Sequence, residues 1–339
     1  MMTSREIVRR VLTFDSPPRI GLTLPDPYGN DLCLHGIEPA PNYRPREYPP
    51  QGREKWRRQD EWGSIWASLT DYDSGEVVQP AITDWSQLDS YRPPDFGDPA
   101  RYRGMRERFA KEREKLRVGF LPGFVFAVAR YIRKLENYLC DLLLERANID
   151  RLHAIVRGQL LAAIERVAEA GADAVMFCED WGTQERLMVS PTMWREIFRP
   201  EFAALCGAAR GHGLFVLMHS CGKITDIIPD LIEVGISCLQ FDQPRLHGID
   251  RLAEFAGRVS FWCPVDIQTT LQTHDPVKIR QEARELVTKL GGKGGGFLAG
   301  YYPSNQAIGL TDDVQEHACM AFTEFAKYPG GRAGEQESR

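Results

Sequence analysis

Residues 213–234 read GLFVLMHSCGKITDIIPDLIEV. Gly213 opens an apolar run, Leu214 to Met218, of the length and β-branched character of a buried strand. The run stops at His219-Ser220-Cys221-Gly222. A helix follows, with Asp226 as a cap residue and Pro229 tolerated in its first turn. A short buried strand, a polar turn and an amphipathic helix make up one βα unit. The question for the rest of the chain is how often that unit recurs.

It recurs along most of the length. Strands are predicted over 116–121 (LRVGFL), 173–178 (DAVMFC), 238–241, 259–262 and 296–298, with one more near the start over 20–24. Between them the apolar spacing predicts helices near 132–144, over 149–170, after Ser190-Pro191, near 249–256 and over 276–290. In 149–170, Leu152, Ile155, Val156, Leu160, Ile164 and Val167 share one face, and Gly171 suits a left-handed cap. Pro200 is expected to kink the helix that Ser190 starts. With the stretch quoted above, the strand count approaches eight. A glycine-rich first turn of the kind an open doubly wound sheet carries is missing, so the predicted fold is a distorted (β/α)8 TIM barrel. Gly291 to Gly296 (GGKGGG) follows a helix and precedes a strand, the wrong order for a phosphate loop, and reads as a flexible connection.

Two stretches fall outside the alternation. Residues 43–94 are dense in Pro, Trp, Tyr, Arg and Asp, with hairpin-like runs at Glu61 to Trp66 and Glu76 to Val78. They belong to a cap or lid excursion spanning about 30–110 on a single domain, 1–329. Residues 330–339 have nothing to bury and are expected to be a disordered tail.

Bulk properties narrow the function classes. The chain has 339 residues, 43% of them hydrophobic, and a formal charge of −5 without any basic run, which argues against nucleic acid. The first ten residues lack the apolar stretch of a secretory signal, and no apolar run reaches the roughly 20 residues of a membrane span. Eight cysteines, at 33, 140, 178, 206, 221, 238, 263 and 319, form no compact framework and read as reduced thiols, so a cytoplasmic protein is expected.

In a βα barrel the chemistry sits at the carboxyl ends of the strands. Glu179 and Asp180 follow VMFC, His219 and Cys221 follow FVLM, Asp242 and Gln243 follow CLQF, Cys263 and Asp266 follow SFW, and Tyr301 and Tyr302 follow FLAG. Residues two apart on an extended strand share a face, so His219 and Cys221 can reach one soft metal ion, zinc by preference. An H-x-C pair alone is more often a packed strand end than a metal site; the acids at neighbouring strand ends turn it into a candidate metal site. Glu179 and Asp180 are neighbours, so only one of them faces the mouth as ligand or general acid, and the sequence leaves the choice open. Gln184 is a candidate hydrogen-bonding group. His35, His153, His247, His274 and His317 are assigned surface or cap roles, and His212 a helix end.

Taken together, these motifs resemble the uroporphyrinogen decarboxylase superfamily, and within it the cobalamin-dependent methyltransferases more than the decarboxylases. The resemblance runs from Arg5-Glu6-Ile7-Val8 almost to the C-terminus. It is carried by Asp60-Glu61-Trp62-Gly63 with Trp66, by Glu136-Asn137-Tyr138-Leu139, and by Glu179-Asp180-Trp181-Gly182-Thr183-Gln184. The most specific motifs are His219-Ser220-Cys221-Gly222 with Ile228-Pro229-Asp230-Leu231-Ile232, then Asp266-Ile267-Gln268. The resemblance implies that His219 and Cys221 are the first two zinc ligands, completed by a cysteine at the end of a late strand. Here that strand reads Phe297-Leu298-Ala299-Gly300-Tyr301-Tyr302, without the cysteine, which leaves Cys263 or Glu179 to complete the shell. It further implies a methyl group exchanged between a small methylated substrate or thiol and cobalamin held by a separate corrinoid protein. Asp180 or Asp242 would serve as proton or orienting groups, and Gln184 and Tyr302 as contacts. The alternatives are a porphyrinogen-type decarboxylase, for which Arg19 is the one early cation available, and a noncatalytic barrel that binds a corrinoid protein.

Overall fold

A computed structural model describes residues 2–327; the expected tail, 330–339, lies outside the described residues. Eight strands form one parallel sheet, with β1 Gly21–Leu22, β2 Leu32–Gly36, β6 Leu116–Phe120, β7 Ala174–Cys178, β8 Phe215–His219, β9 Cys238–Gln240, β10 Ser260–Cys263 and β11 Phe297–Ala299. A separate antiparallel sheet, β3 Trp56–Gln59, β4 Ile65–Ser68 and β5 Glu76–Gln79, forms the cap. The large sheet runs β1-β11-β10-β9-β8-β7-β6-β2, so strands consecutive in the chain are neighbours from β6 to β11. Its ends are joined not by a ladder but by a short seam. Asp31 N–H donates to the Leu22 carbonyl (2.7 Å), and Thr23 bridges Asn30. This is the βα barrel expected, distorted where β1 and β2 meet. The strand not foreseen is β2, which the sequence reading placed inside the cap excursion.

Apart from β2, whose second half is open from Leu34 on, the strands bury both faces, and their alternation separates two cores. Leu116, Val118, Ala174, Met176, Leu217, Cys238 and Leu298 point inward, and the helix Ser4–Thr13 closes the floor against them with Ile7, Val8, Val11 and Leu12. That helix starts where Thr3 accepts from Glu6 N–H and stops at Phe14, whose φ of 56° is left-handed. Val175, Phe177, Val216, Leu239, Phe261, Cys263 and Phe297 point outward into the layer beneath the surrounding helices. The longest helix is Arg146–Glu169.

Some expectations are corrected in detail. The helix expected near 132–144 is two, Val125–Arg133 and Leu135–Leu144, broken at Lys134 where φ is 70°. Pro200 stands in the first turn of its own helix, Arg199–Gly211, and does not bend a longer one. His153 and His247 are buried, not surface groups: His153 is 1% exposed between helices and bonds Tyr138 (2.6 Å). The glycines 294–296, all at positive φ, lie against the end of the first helix, with Gly294 accepting from Ser16. No helix among the described residues is long and apolar enough to cross a membrane.

Candidate metal centre at the barrel mouth

The register of four strands sets the site. Cys178 pairs with His219, His219 with Gln240, and Gln240 with Trp262. These four residues have the inward parity of Met176 and Leu217, and they form one layer across the mouth. The next inward positions, two residues on, are Asp180, Cys221 and Asp242. Strand parity thus assigns the Glu179-Asp180 pair: Asp180 faces the mouth and Glu179 faces the helices.

Asp180, His219 and Cys221 each present one ligand atom, and the three atoms lie within 4.8 Å of one another. His219 Nε2 is 3.2 Å from Cys221 Sγ and 3.5 Å from Asp180 Oδ1. Ligand atoms held about 2.0–2.3 Å from a tetrahedral zinc are themselves about 3.3–3.8 Å apart; the Asp180 spacing falls in that range and the Cys221 spacing just below it. Cys221 N–H donates to Asp180 Oδ1 (2.8 Å), pinning one loop to the other. Below them, Gly182 N–H donates to the Cys221 carbonyl (3.2 Å) and Trp181 N–H to Ser220 Oγ (3.2 Å). Gly182 and Gly222 pack backbone on backbone; a Cβ on Gly222, whose φ is +74°, would stand 2.0 Å from the Gly182 carbonyl oxygen.

A second tier orients the imidazole. Gln240 Nε2 donates to Asp242 Oδ1 (2.7 Å), which turns the amide oxygen toward His219 Nδ1 in a short hydrogen bond. An amide oxygen only accepts, so Nδ1 carries the proton and Nε2 is free for a metal. Arg130 reaches the other side of the centre, donating to Asp180 Oδ2 (3.5 Å) and to the Tyr131 hydroxyl (3.2 Å). The residue Cys221 is exposed, yet its thiol is pushed above its ordinary value, first by desolvation of the sulfur and then by the Asp180 and Asp242 carboxylates. A dication there would reverse that preference and hold the thiolate.

Two cavities meet at this layer. One of about 540 Å³ lies over the barrel axis and includes Cys178, His219, Gln240, Asp242, Trp262 and Tyr302. The other, about 190 Å³, lies on the far side of Cys221 and shares Asp242 and Tyr302 with the first. Tyr302 lines both. Gln184 is on the exposed rim, its amide donating to Gln243 (3.3 Å).

Two expected ligands are corrected. Cys263 is 0% exposed, and its parity is opposite to that of Trp262, so its sulfur sits in the outer apolar layer with Phe261 and Phe241. Glu179 is 0% exposed behind the sheet, with Oε2 accepting from Ala127 N–H (3.1 Å) in the first turn of Val125–Arg133 and Oε1 without a partner. Burial raises its pKa to about 8, against the backbone donor and Arg130. The residue that completes the candidate triad is Asp180, which the sequence leaves open as ligand or general acid. Gln240 and Arg130 were missed. Gln240 was signalled only as the one polar residue in an apolar strand, and Arg130 not at all, being one of many arginines on a helix.

The sequence profile of the family described as uroporphyrinogen decarboxylase (URO-D) matches residues 70–327. No curated protein matches the chain in sequence. Among solved structures, a methyltransferase from Methanosarcina mazei is similar with a TM-score of 0.61 and 16% identity, over 78% of this chain and 76% of its own. A B12-independent methionine synthase from Shewanella sp. W3-18-1, in complex with selenomethionine, gives a TM-score of 0.43 and 11% identity over 83% and 74%. At such identity the first likeness is one of fold.

Proposed function

The chain belongs to the uroporphyrinogen decarboxylase family, and from that premise we propose that it is a zinc-assisted methyltransferase, exchanging a methyl group between a small methylated substrate or thiol and cobalamin on a separate corrinoid protein. The observation that carries the reading is the convergence of Asp180, His219 and Cys221 within 4.8 Å at the barrel mouth. One nitrogen, one sulfur and one oxygen suit zinc, and three protein ligands leave a fourth position for a reacting group, the arrangement of catalytic zinc sites. When bound, zinc would supply the charge that keeps a thiol ionised or polarises the heteroatom bearing a methyl group.

The chain's own residues have the remaining work. Gln240 fixes the His219 tautomer, and the two packed glycines hold both loops at one height. Asp242, bonded to Gln240 and bordering both cavities, is placed to take or return the proton of the group that loses or gains methyl. Arg130 offsets the charge of Asp180. The cavity on the barrel axis has the volume for one partner's reacting end, and the smaller one beside Cys221 for a compact group. The decarboxylase alternative needs cations for several carboxylates, and Arg19 is already committed to Asp31 in a two-pronged pair (2.6 and 2.8 Å).

Metal analysis of the purified protein and of a His219→Ala, Cys221→Ser variant tests the metal half: the wild type retains zinc and the variant does not. Equal zinc in both ends the proposal. For the transfer half, methylcobalamin or cob(I)alamin is mixed with candidate donors and acceptors and the corrinoid spectrum is followed. Carbon dioxide release from a porphyrinogen, with no spectral change in any mixture, reverses it.

A further inference from the structure

A third space lies between the cap sheet and the barrel, with a volume of about 540 Å³. Tyr43, Trp56 and Trp66 reach it from the cap, Phe120 from the end of β6, Tyr131 from the helix Val125–Arg133, and Phe96 from the connecting segment. The space is open to solvent, and a concave surface of this volume with several aromatic rings in its wall has the form of a small-molecule site.

The charges in its wall say which. Arg101, 1% exposed, forks onto Glu61 (3.0 and 2.6 Å) and lies over the Phe96 ring at 4.3 Å. Glu61 also accepts from Ala40 N–H (2.9 Å). Asp60 accepts from Trp66 Nε1 (2.6 Å) and Ser64 N–H (2.8 Å), and Arg58 lies over the Trp56 ring at 4.5 Å. Two acids and two bases thus leave the wall without net charge: Arg101 and Glu61 pair with each other, Asp60 is held by two N–H donors, and Arg58 rests on the Trp56 ring. A carboxylate or an ammonium group entering here would give up its hydration to a wall of no net charge. A flat, uncharged ring loses little and gains ring contacts, each worth about 0.5–1.5 kcal/mol beyond the area it buries. The rings are also held ready: Trp66 is fixed by Asp60 on one edge and by Tyr131, edge to face at 4.7 Å, on the other.

We infer that this cavity is a binding site for the uncharged planar ring of an aromatic small molecule. Tyr131 lines it, and the guanidinium that bonds the Tyr131 hydroxyl also bonds Asp180, so the ring site and the candidate metal centre share one side chain. On the methyl-transfer reading, and resting on it, the ring belongs to the substrate whose methyl group is presented to the centre.

The test is a titration of the full chain, metal-free and zinc-loaded, by calorimetry and tryptophan fluorescence. The probes are naphthol, naphthoate, a naphthylmethyl trimethylammonium salt and cyclohexanol. Saturable one-to-one binding of naphthol, with the other three at least about tenfold weaker, is the expected result. Trp66→Ala weakens it by about tenfold or more, and Phe120→Trp, which fills the space without emptying any packing, abolishes it. No naphthol binding, preference for the ammonium or the carboxylate, equal binding of cyclohexanol, or indifference to Phe120→Trp in a folded protein each overturns the assignment. Binding of naphthol without any methyl transfer leaves the ring site standing and removes the activity proposal. Methyl transfer without naphthol binding does the reverse.

Discussion

Gln240→Leu isolates the contribution of the residue that holds the candidate ligand His219 in place. The amide is 8% exposed, accepts from His219 Nδ1 and donates to Asp242 (2.7 Å). Leucine has similar volume and neither function. Without an acceptor at Nδ1 the imidazole is free to change tautomer and rotate, so Nε2 no longer points by default at Cys221 and Asp180. Loss of such a partner costs about 10–100-fold in metal affinity, which is about 1.4–2.7 kcal/mol. The cost to the fold is smaller. His219 and Asp242 are both partly exposed at the mouth, so water can replace the amide at each, and about 1 kcal/mol is expected. The assay is a zinc titration in competition with a chromophoric chelator, beside the melting temperature of the metal-free protein. Weaker zinc with a nearly unchanged metal-free melt is the predicted pair of results. A folded Gln240→Leu protein that binds zinc as tightly as the wild type refutes the tautomer argument.

Three further outcomes follow from the geometry. Gly222→Ala places a Cβ 2.0 Å from the Gly182 carbonyl oxygen at a φ of +74°; the loops must part, and both zinc retention and about 1–3 kcal/mol of stability, read by urea unfolding, are lost. Cys263→Ala leaves zinc content unchanged, because that sulfur is in the outer core, and lowers stability by about 1–2 kcal/mol. Burial lowers the pKa of His153 to about 3, so the ring stays neutral when folded and takes up a proton on unfolding. Its contribution is fully present above the unfolded value of about 6.5 and is lost as pH falls toward 3; the wild type should lose about 1.4 kcal/mol per pH unit more than His153→Asn over that window. Parallel stability curves for the two proteins between pH 6 and 4 contradict this.

The barrel was legible because its signal is redundant: seven apolar runs alternate with helices, and no single run has to be read correctly. The eighth, β2, was lost because it follows β1 without a helix between them, so nothing in the alternation marks Leu32–Gly36 as a barrel strand. The aromatic cavity was equally invisible. Tyr43, Trp56 and Trp66 were recognisable as cap residues, but the void exists only where the cap meets Phe120 and Tyr131. His153 was misjudged by its residue type, since it shares the helix face of Ile149, Val156 and Leu160, the buried face of Arg146–Glu169.

The third candidate ligand shows a different kind of limit. In a half-exposed strand the polar residues reveal which face is which, but parallel barrel strands bury both faces, and AVMFC or SFWC carries no mark of its phase. The choice of Glu179 against Asp180 was therefore one of parity, as was the question whether Cys263 faces the mouth. The pairing of β9 with β10 answers the second, and that of β7 with β8 the first. With Cys178 opposite His219, the position two residues on is Asp180, level with Cys221, as the 2.8 Å bond from Cys221 N–H to Asp180 requires. A slip of one residue in that register would bring Glu179 to the mouth and bury Asp180 behind the sheet. The composition of the candidate metal centre is in this sense a property of strand pairing: the candidate ligands are all written in the chain, but only the ladder between two strands says which of them meet.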